Sequence, residues 1–161
     1  MNKYLLLCIA SISCIACTKV GESGLTAQSY GRIQFGQPLA AAEKVLDEKI
    51  VMATNSDPAC HYVSFTAYPN VRFMVENGVI TRGELQAGQA LGVGIADSLE
   101  SAKTKHPDIH IQPHKYDPAG HYLILKSSDG KFAVVMEEAK GKITKIRGGV
   151  EPSVEYVEGC L

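Results

Sequence analysis

The stretch Val71-Arg-Phe-Met-Val-Glu-Asn-Gly-Val-Ile-Thr-Arg-Gly-Glu-Leu85 decides the fold. Its two arms are rich in β-branched and aromatic residues. Asn77-Gly78 between them is the dipeptide that best tolerates the positive φ angles of a tight hairpin turn. Alternation assigns the faces. Val71, Phe73 and Val75 point one way, together with Val63 and Phe65 of a preceding strand over about 61–67. Tyr62, Arg72 and Met74 point the other way. The result is an antiparallel meander over 61–67, 71–76 and 79–85, whose last strand alternates less cleanly and leaves room for a bulge.

The pattern returns 60 residues later. Ile33, Phe35, Leu39 and Ala42 fall on Val93, Ile95, Leu99 and Ala102, and His61-Tyr62-Val63 falls on His121-Tyr122-Leu123. After a three-residue insertion, Gly78-Val79-Ile80-Thr81-Arg82 meets Gly141-Lys142-Ile143-Thr144-Lys145. The shared order predicts a duplicated unit, with repeat 1 over 31–85, a linker over 86–90, and repeat 2 with a C-terminal extension over 91–161. Each repeat opens on an extended lead, 31–36 or 91–96, followed by a helix. Pro38 is placed at the first helical position of 39–49, with Leu39, Ala42 and Leu46 on one face. Asp97 with Glu100 reads as the N-cap and capping box of the second helix, which Pro107 stops. The second meander runs over 121–127, 131–138 and 142–148, with Leu123 and Leu125 toward the helices and Tyr122 and Ile124 away. The expected class is α+β: two tandem helix-plus-three-strand repeats form an antiparallel sheet, with helices on one face and the other face open.

The start of the chain bears on location. Met1-Asn2-Lys3 followed by the apolar run Tyr4 to Ala16 reads as a signal peptide over 1–16, too short to span a bilayer. Ile15-Ala16-Cys17 resembles a bacterial lipobox, in which the cysteine is lipidated and becomes the mature N-terminus. That resemblance implies lipidation at Cys17 and membrane attachment through the lipid. Thr18 after it implies the outer membrane, facing the periplasm. Residues 17–30, rich in Gly, Ser and Thr, read as the lipidated N-terminus and a flexible tether.

Of 161 residues, 145 follow the leader, the size of one ordinary domain or two small ones. One Lys leaves with the leader, so 15 basic residues face 17 acidic ones. No basic stripe of the kind that binds nucleic acid is visible. Of five cysteines, Cys8 and Cys14 lie in the leader and Cys17 is the lipid site. Cys60 and Cys160 remain. In an exported chain they read as one disulfide closing a loop of about 100 residues, and no Cys-x-x-Cys supports the rival reading as reactive thiols.

A lead of the form Ile33-x-Phe35-Gly36-x-Pro38-Leu39, a short helix and a three-stranded meander resemble the repeat unit of the β-lactamase inhibitory protein family. They are also similar to the small lipoprotein subunit of the outer-membrane β-barrel assembly machinery. The resemblance is architectural and covers 31–148. It implies a non-enzymatic binding platform, an inhibitor or assembly scaffold, and supplies no catalytic residues.

Few patterns offer chemistry. His106, His110, His114 and His121 lie within sixteen residues, but Pro107 and Pro113 forbid the helix that would align them. His110, His114 and His121 are therefore weak metal candidates, read first as solvated loop histidines, and no cofactor is expected. The repeat relates His61 to His121, which are expected at strand entries with rings that satisfy nearby backbone groups. Glu137-Glu138 are adjacent on a strand and point to opposite faces, which is wrong for paired acid–base work, and no nucleophile elbow, zinc-protease or phosphate-loop motif exists. No enzyme activity is expected.

The candidate binding face gathers Tyr62, Arg72, Met74, Tyr116, Tyr122 and Tyr156 on the open side, near the turn-rich loop 113–122. Tyr and Arg are favoured at protein-binding hot spots, and tyrosine rings also stack on sugars. Glu151 to Cys160 is expected to run as a last extended segment, with Val154 and Tyr156 on one side, pinned by the Cys60 bridge. The expectation is a cell-envelope lipoprotein acting as a protein-binding or inhibitory module on an envelope protein; the alternative is a carbohydrate-binding, lectin-like protein.

Overall fold

The computed structural model describes residues 24–52 and 56–160; the leader, Cys17 and the first part of the expected tether lie outside them. In chain order the elements are β1 (Ser29–Tyr30), β2 (Ile33–Gln34), α1 (Leu39–Leu46), β3 (Cys60–Val63), β4 (Val71–Glu76) and β5 (Val79–Leu85). There follow β6 (Gln89–Ala90), β7 (Val93–Gly94), α2 (Leu99–Lys105), β8 (His110–Pro113), β9 (His121–Lys126), β10 (Phe132–Ala139), β11 (Lys142–Val150) and a 3₁₀ turn (Ser153–Glu155). The architecture is α+β. Seven strands form one antiparallel sheet in the order β3-β4-β5-β11-β10-β9-β8. The halves meet where β5 pairs with β11, through Arg82↔Gly149, Gly83↔Gly148 and Glu84↔Arg147. Among the described residues no helix is long and apolar enough to cross a membrane.

The turns and bulges follow the local chemistry. Asn77 and Gly78 take φ values of 49° and 78°, and Lys140 and Gly141 take 53° and 78°, the same mirror-image turn in both meanders. In β5 the register slips so that Arg82 faces Met74 and Ile80 faces Val75, leaving Thr81 as the extra residue. In β11 Lys145 faces Glu137 and Ile143 faces Glu138, leaving Thr144. The bulge suspected in the third strands is present in each. The second meander also carries an added edge strand, β8.

Helix boundaries differ from expectation by one residue at the start of each helix and by three at the end of α1, which stops at Leu46 and not at 49. Pro38 is the N-cap of α1 rather than its first helical residue, and Asp47 ends the helix at φ 53°. The N-cap of α2 is Ser98, whose Oγ accepts from the Ser101 N–H at 3.1 Å. Asp97 instead folds back to accept from the Gly94 N–H at 3.0 Å and pairs with Lys105. Both residues are good cap formers, and the lead strand claims the first of them.

The expected helix-side set packs as one core: Val63, Phe65, Val71, Phe73, Val75 and Leu123 are buried, with Leu125 against them. Each helix contributes one fully buried residue, Ala42 or Ala102. Residues 24–30 belong to this body and are not a free tether. Leu25 is 0 % exposed and bridges Ala90, while Thr26 Oγ1 accepts the Gln28 and Ser29 N–H groups. A Gly/Ser/Thr-rich composition suggested flexibility, but one apolar anchor and a hydroxyl-closed turn hold the segment down. Gly148 makes room for it, since a Cβ there would run into the Thr26 carbonyl oxygen. The expected linker likewise ends in β6, with Ala90 fully buried.

The largest departure concerns the second face. Residues 151–160 do not run extended: they turn at Ser153–Glu155 and cross the sheet as a strap, ending in the Cys60–Cys160 disulfide with Cα atoms 5.3 Å apart. Val154 is fully buried against Tyr122, Ile124, Ala133 and Val135. The face expected to be open is therefore covered across its middle. Met74 is fully buried and Tyr122 is 8 % exposed.

Candidate functional site

β5 and β11 part company beyond the Glu84↔Arg147 pair, and a cavity of about 360 Å³ opens there beside the strap. Two charged clusters border it. In the first, Glu84 accepts hydrogen bonds from Tyr62 Oη at 2.8 Å, from Arg72 Nη2 at 2.8 Å, and from Arg82 Nη2. Register explains the grouping, since Arg72 lies directly across from Glu84 and Arg82 is two residues earlier on the same strand. Arg82 Nη1 donates to the Ser153 and Tyr156 carbonyls at 3.1 and 2.7 Å. The Arg72 guanidinium stacks 3.9 Å over the Tyr62 ring.

The second cluster mirrors this chemistry on β10 and β11. Glu137 pairs with Arg147 Nη1 and lies 3.2 Å from Lys145 Nζ. Arg147 Nε donates to the Val154 carbonyl at 2.6 Å. Each buried arginine thus ties a strap carbonyl to a sheet glutamate. Burial works against the charge on both carboxyls, yet both sit below the usual glutamate range. For Glu84 the Arg82 charge and the Arg72 and Tyr62 hydrogen bonds outweigh it. For Glu137 the charge and hydrogen bond of Arg147 do so, helped by Lys145. Burial, seconded by the bond to Glu84, pushes the Tyr62 hydroxyl up. On the rim, hydrogen bonds from Lys115 and Tyr116 hold Glu158 at about 2. The balance around the cavity is positive: Arg72, Arg82, Lys145 and Arg147 face Glu84, Glu137 and Glu158. Such an arrangement presents fixed charges and fixed hydrogen-bond donors.

The expected binding residues divide. Tyr62 and Arg72 line the cavity; Tyr116 (65 % exposed) and Tyr156 (46 % exposed) do not, but Tyr116 donates to the lining residue Glu158 and Tyr156 precedes the lining residue Val157. Met74 and Tyr122 offer no contact surface, because the strap lies over their face. His114 stacks on Tyr122 with ring centroids 4.5 Å apart. His121 Nδ1 meets Glu138 Oε2 at 2.6 Å, not a backbone group as expected, while His61 Nδ1 does meet the Asp57 carbonyl at 3.0 Å. His110 is exposed on the β8 edge. Among the described residues no three His, Cys, Asp or Glu side chains are placed to hold a metal ion. Glu137 and Glu138 do turn to opposite faces, one to Arg147 and the other to His121.

Sequence reading missed Arg82, Glu84, Lys145 and Arg147. A signal existed, because Arg82 and Arg147 are charges next to glycines in the two strands that form the centre of the sheet. Comparison of the chain with protein-family models, with curated proteins and with solved structures returns no match.

Proposed function

We propose that this chain is a tandemly duplicated, exported and lipid-anchored protein whose strap-covered sheet face binds an envelope protein, as an inhibitor or assembly module without catalysis of its own. The matching turns at 77–78 and 140–141, the matching bulges at Thr81 and Thr144, and two meanders joined at their third strands support duplication. The leader and the lipobox-like Ile15-Ala16-Cys17 support export and anchoring at Cys17. The observation that carries the binding reading is three exposed residues of hot-spot type near one cation-bordered cavity: Arg72 in its lining, Tyr116 bonded to the lining residue Glu158, and Tyr156 next in sequence to the lining residue Val157. A sugar platform on Tyr62 and Tyr122 is disfavoured, since Arg72 covers one ring and His114 and the strap close off the other.

Photo-crosslinking amino acids at positions 116 and 156, in the native envelope, test this reading against the same group at Val45 on the helix side. A discrete adduct from 116 and 156 that is missing from position 45 is expected. Identical ladders from all three positions, or none from any, would end it. Labelled palmitate entering the wild type but not Cys17→Ala tests the anchor.

A further inference from the structure

We propose that the cavity between β5 and β11 receives a single carboxylate from the protein partner, a glutamate side chain whose stem lies along Leu85, Ile95 and Val157 and whose head meets Arg147 and Lys145. This rests on the binding reading above and names the chemistry the partner must bring. Arg147 spends Nε on Val154 and Nη1 on Glu137. Among the described residues its Nη2 has no partner, and it is not among the atoms sealed from solvent. Lys145 Nζ, on a side chain 70 % exposed, pairs among the described residues with Glu137 alone and has donors to spare. The three lining carboxylates are already engaged, Glu84 by three donors, Glu137 by Arg147 and Lys145, and Glu158 by Lys115 and Tyr116, so an incoming anion displaces none of them.

The lining selects the ligand. Four lining cations face three carboxylates, and one of these, Glu158, is already met by Lys115 at 2.7 Å, so the cavity keeps an excess of positive charge that suits an incoming anion, and the choice of a carboxylate over phosphate rests on the apolar part of the lining. The apolar part of the lining suits the two methylenes of a glutamate stem. Arg147 is also held in advance by the strap carbonyl, so little side-chain freedom is lost when a ligand arrives.

The test is nitrogen-detected NMR on the processed, disulfide-bonded protein, following the Arg147 Nε–H and the amides of 144 and 145. The probes are acetyl-Gly-Gly-Glu-Gly-Gly-amide, its Gln counterpart and inorganic phosphate. The expected result is a saturable shift with the Glu peptide, none with the Gln peptide, and about tenfold weaker binding in Lys145→Gln. That variant alters an exposed side chain and should leave the rest of the spectrum in place. Equal shifts from the Gln peptide, no saturation with the Glu peptide, or tighter saturation by phosphate would overturn the proposal. Discrete adducts at 116 and 156 alongside such a failure would sink the carboxylate pocket alone, whereas loss of those adducts would sink the binding reading itself.

Discussion

Replacing Cys60 and Cys160 together by serine separates two roles of the C-terminal strap. The bridge spans 100 residues of sequence. A closed loop of that length removes about 4.7 kcal/mol of unfolded-state entropy at 25 °C in the chain-entropy model. The strap has anchors besides the bridge: Arg82 and Arg147 hold three of its carbonyls, and Val154 is fully buried. The double serine protein should therefore lose about 4–5 kcal/mol of global stability and unfold with a steeper urea dependence, since its unfolded chain exposes more surface. Its strap should stay seated. The Glu155 and Tyr156 amides, bonded to the Pro152 and Ser153 carbonyls, should keep their hydrogen-exchange protection relative to the new global limit. Arg147→Met should do the reverse. Breaking a buried pair costs about 3–5 kcal/mol, and here it should release the strap amides first while the bridge remains. A loss below about 1 kcal/mol in the serine protein would refute the loop argument. Strap amides exchanging as in a free peptide in that protein would refute the claim that the arginines hold the strap.

Three further outcomes are expected. Glu84 and Glu137 titrate below their ordinary value when folded, so their stabilisation is complete above about pH 5 and is lost as pH falls below 4.5 through the folded values. Glu137→Gln should flatten that acid limb in urea midpoints measured across the range, and an unchanged limb would disprove the pairing. Gly148→Ala would drive a Cβ onto the Thr26 carbonyl and should cost about 3 kcal/mol or more, read by thermal denaturation; a neutral result would mean residues 24–30 do not lie on the sheet. Ser98→Ala should cost about 1 kcal/mol as the loss of an N-cap, and more than Glu100→Ala, whose side chain pairs with Lys103 and not with the cap.

How much of this could be read in advance depends on range. Asn77-Gly78 and the alternation of Val71, Phe73 and Val75 are local, and they placed hairpin, strand and core face together. The 60-residue echo pointed to a second helix followed by a meander, and the uneven alternation of the third strands pointed to a bulge. The strap is a long-range feature. Alternation says that Tyr122 and Ile124 share a face with Tyr62 and Arg72, but not that ten residues from the chain's end will cover it. One hint was present: Ala133-Val-Val-Met136 is apolar at every position, the pattern of a strand buried on both faces, and such a strand needs a cover on each side. Capping was ambiguous for a related reason, because Asp97 and Ser98 are equally good candidates until the Gly94 amide is brought within reach of one.

The strap also explains why a site should form at the junction between the halves. Two matched meanders alone would present a symmetric face, with Tyr62 and Tyr122 in corresponding places. The extension breaks that symmetry, since its apolar residue Val154 sits on β9 and β10 of the second half while its bonds to Arg82 and Cys60 reach the first. Spanning both halves, it crosses the seam where β5 and β11 stop pairing, and so walls a gap that a bare sheet would leave as a shallow groove. Arg82 and Arg147 must be buried for the strap to be held, and their charges must then be met by Glu84 and Glu137. The charged lining of the cavity follows from the same need that closes the face. On the binding proposal, what the strap leaves over for a ligand is the Arg147 edge without a partner among the described residues, the exposed Lys145, and the exposed Tyr116 and Tyr156 rings.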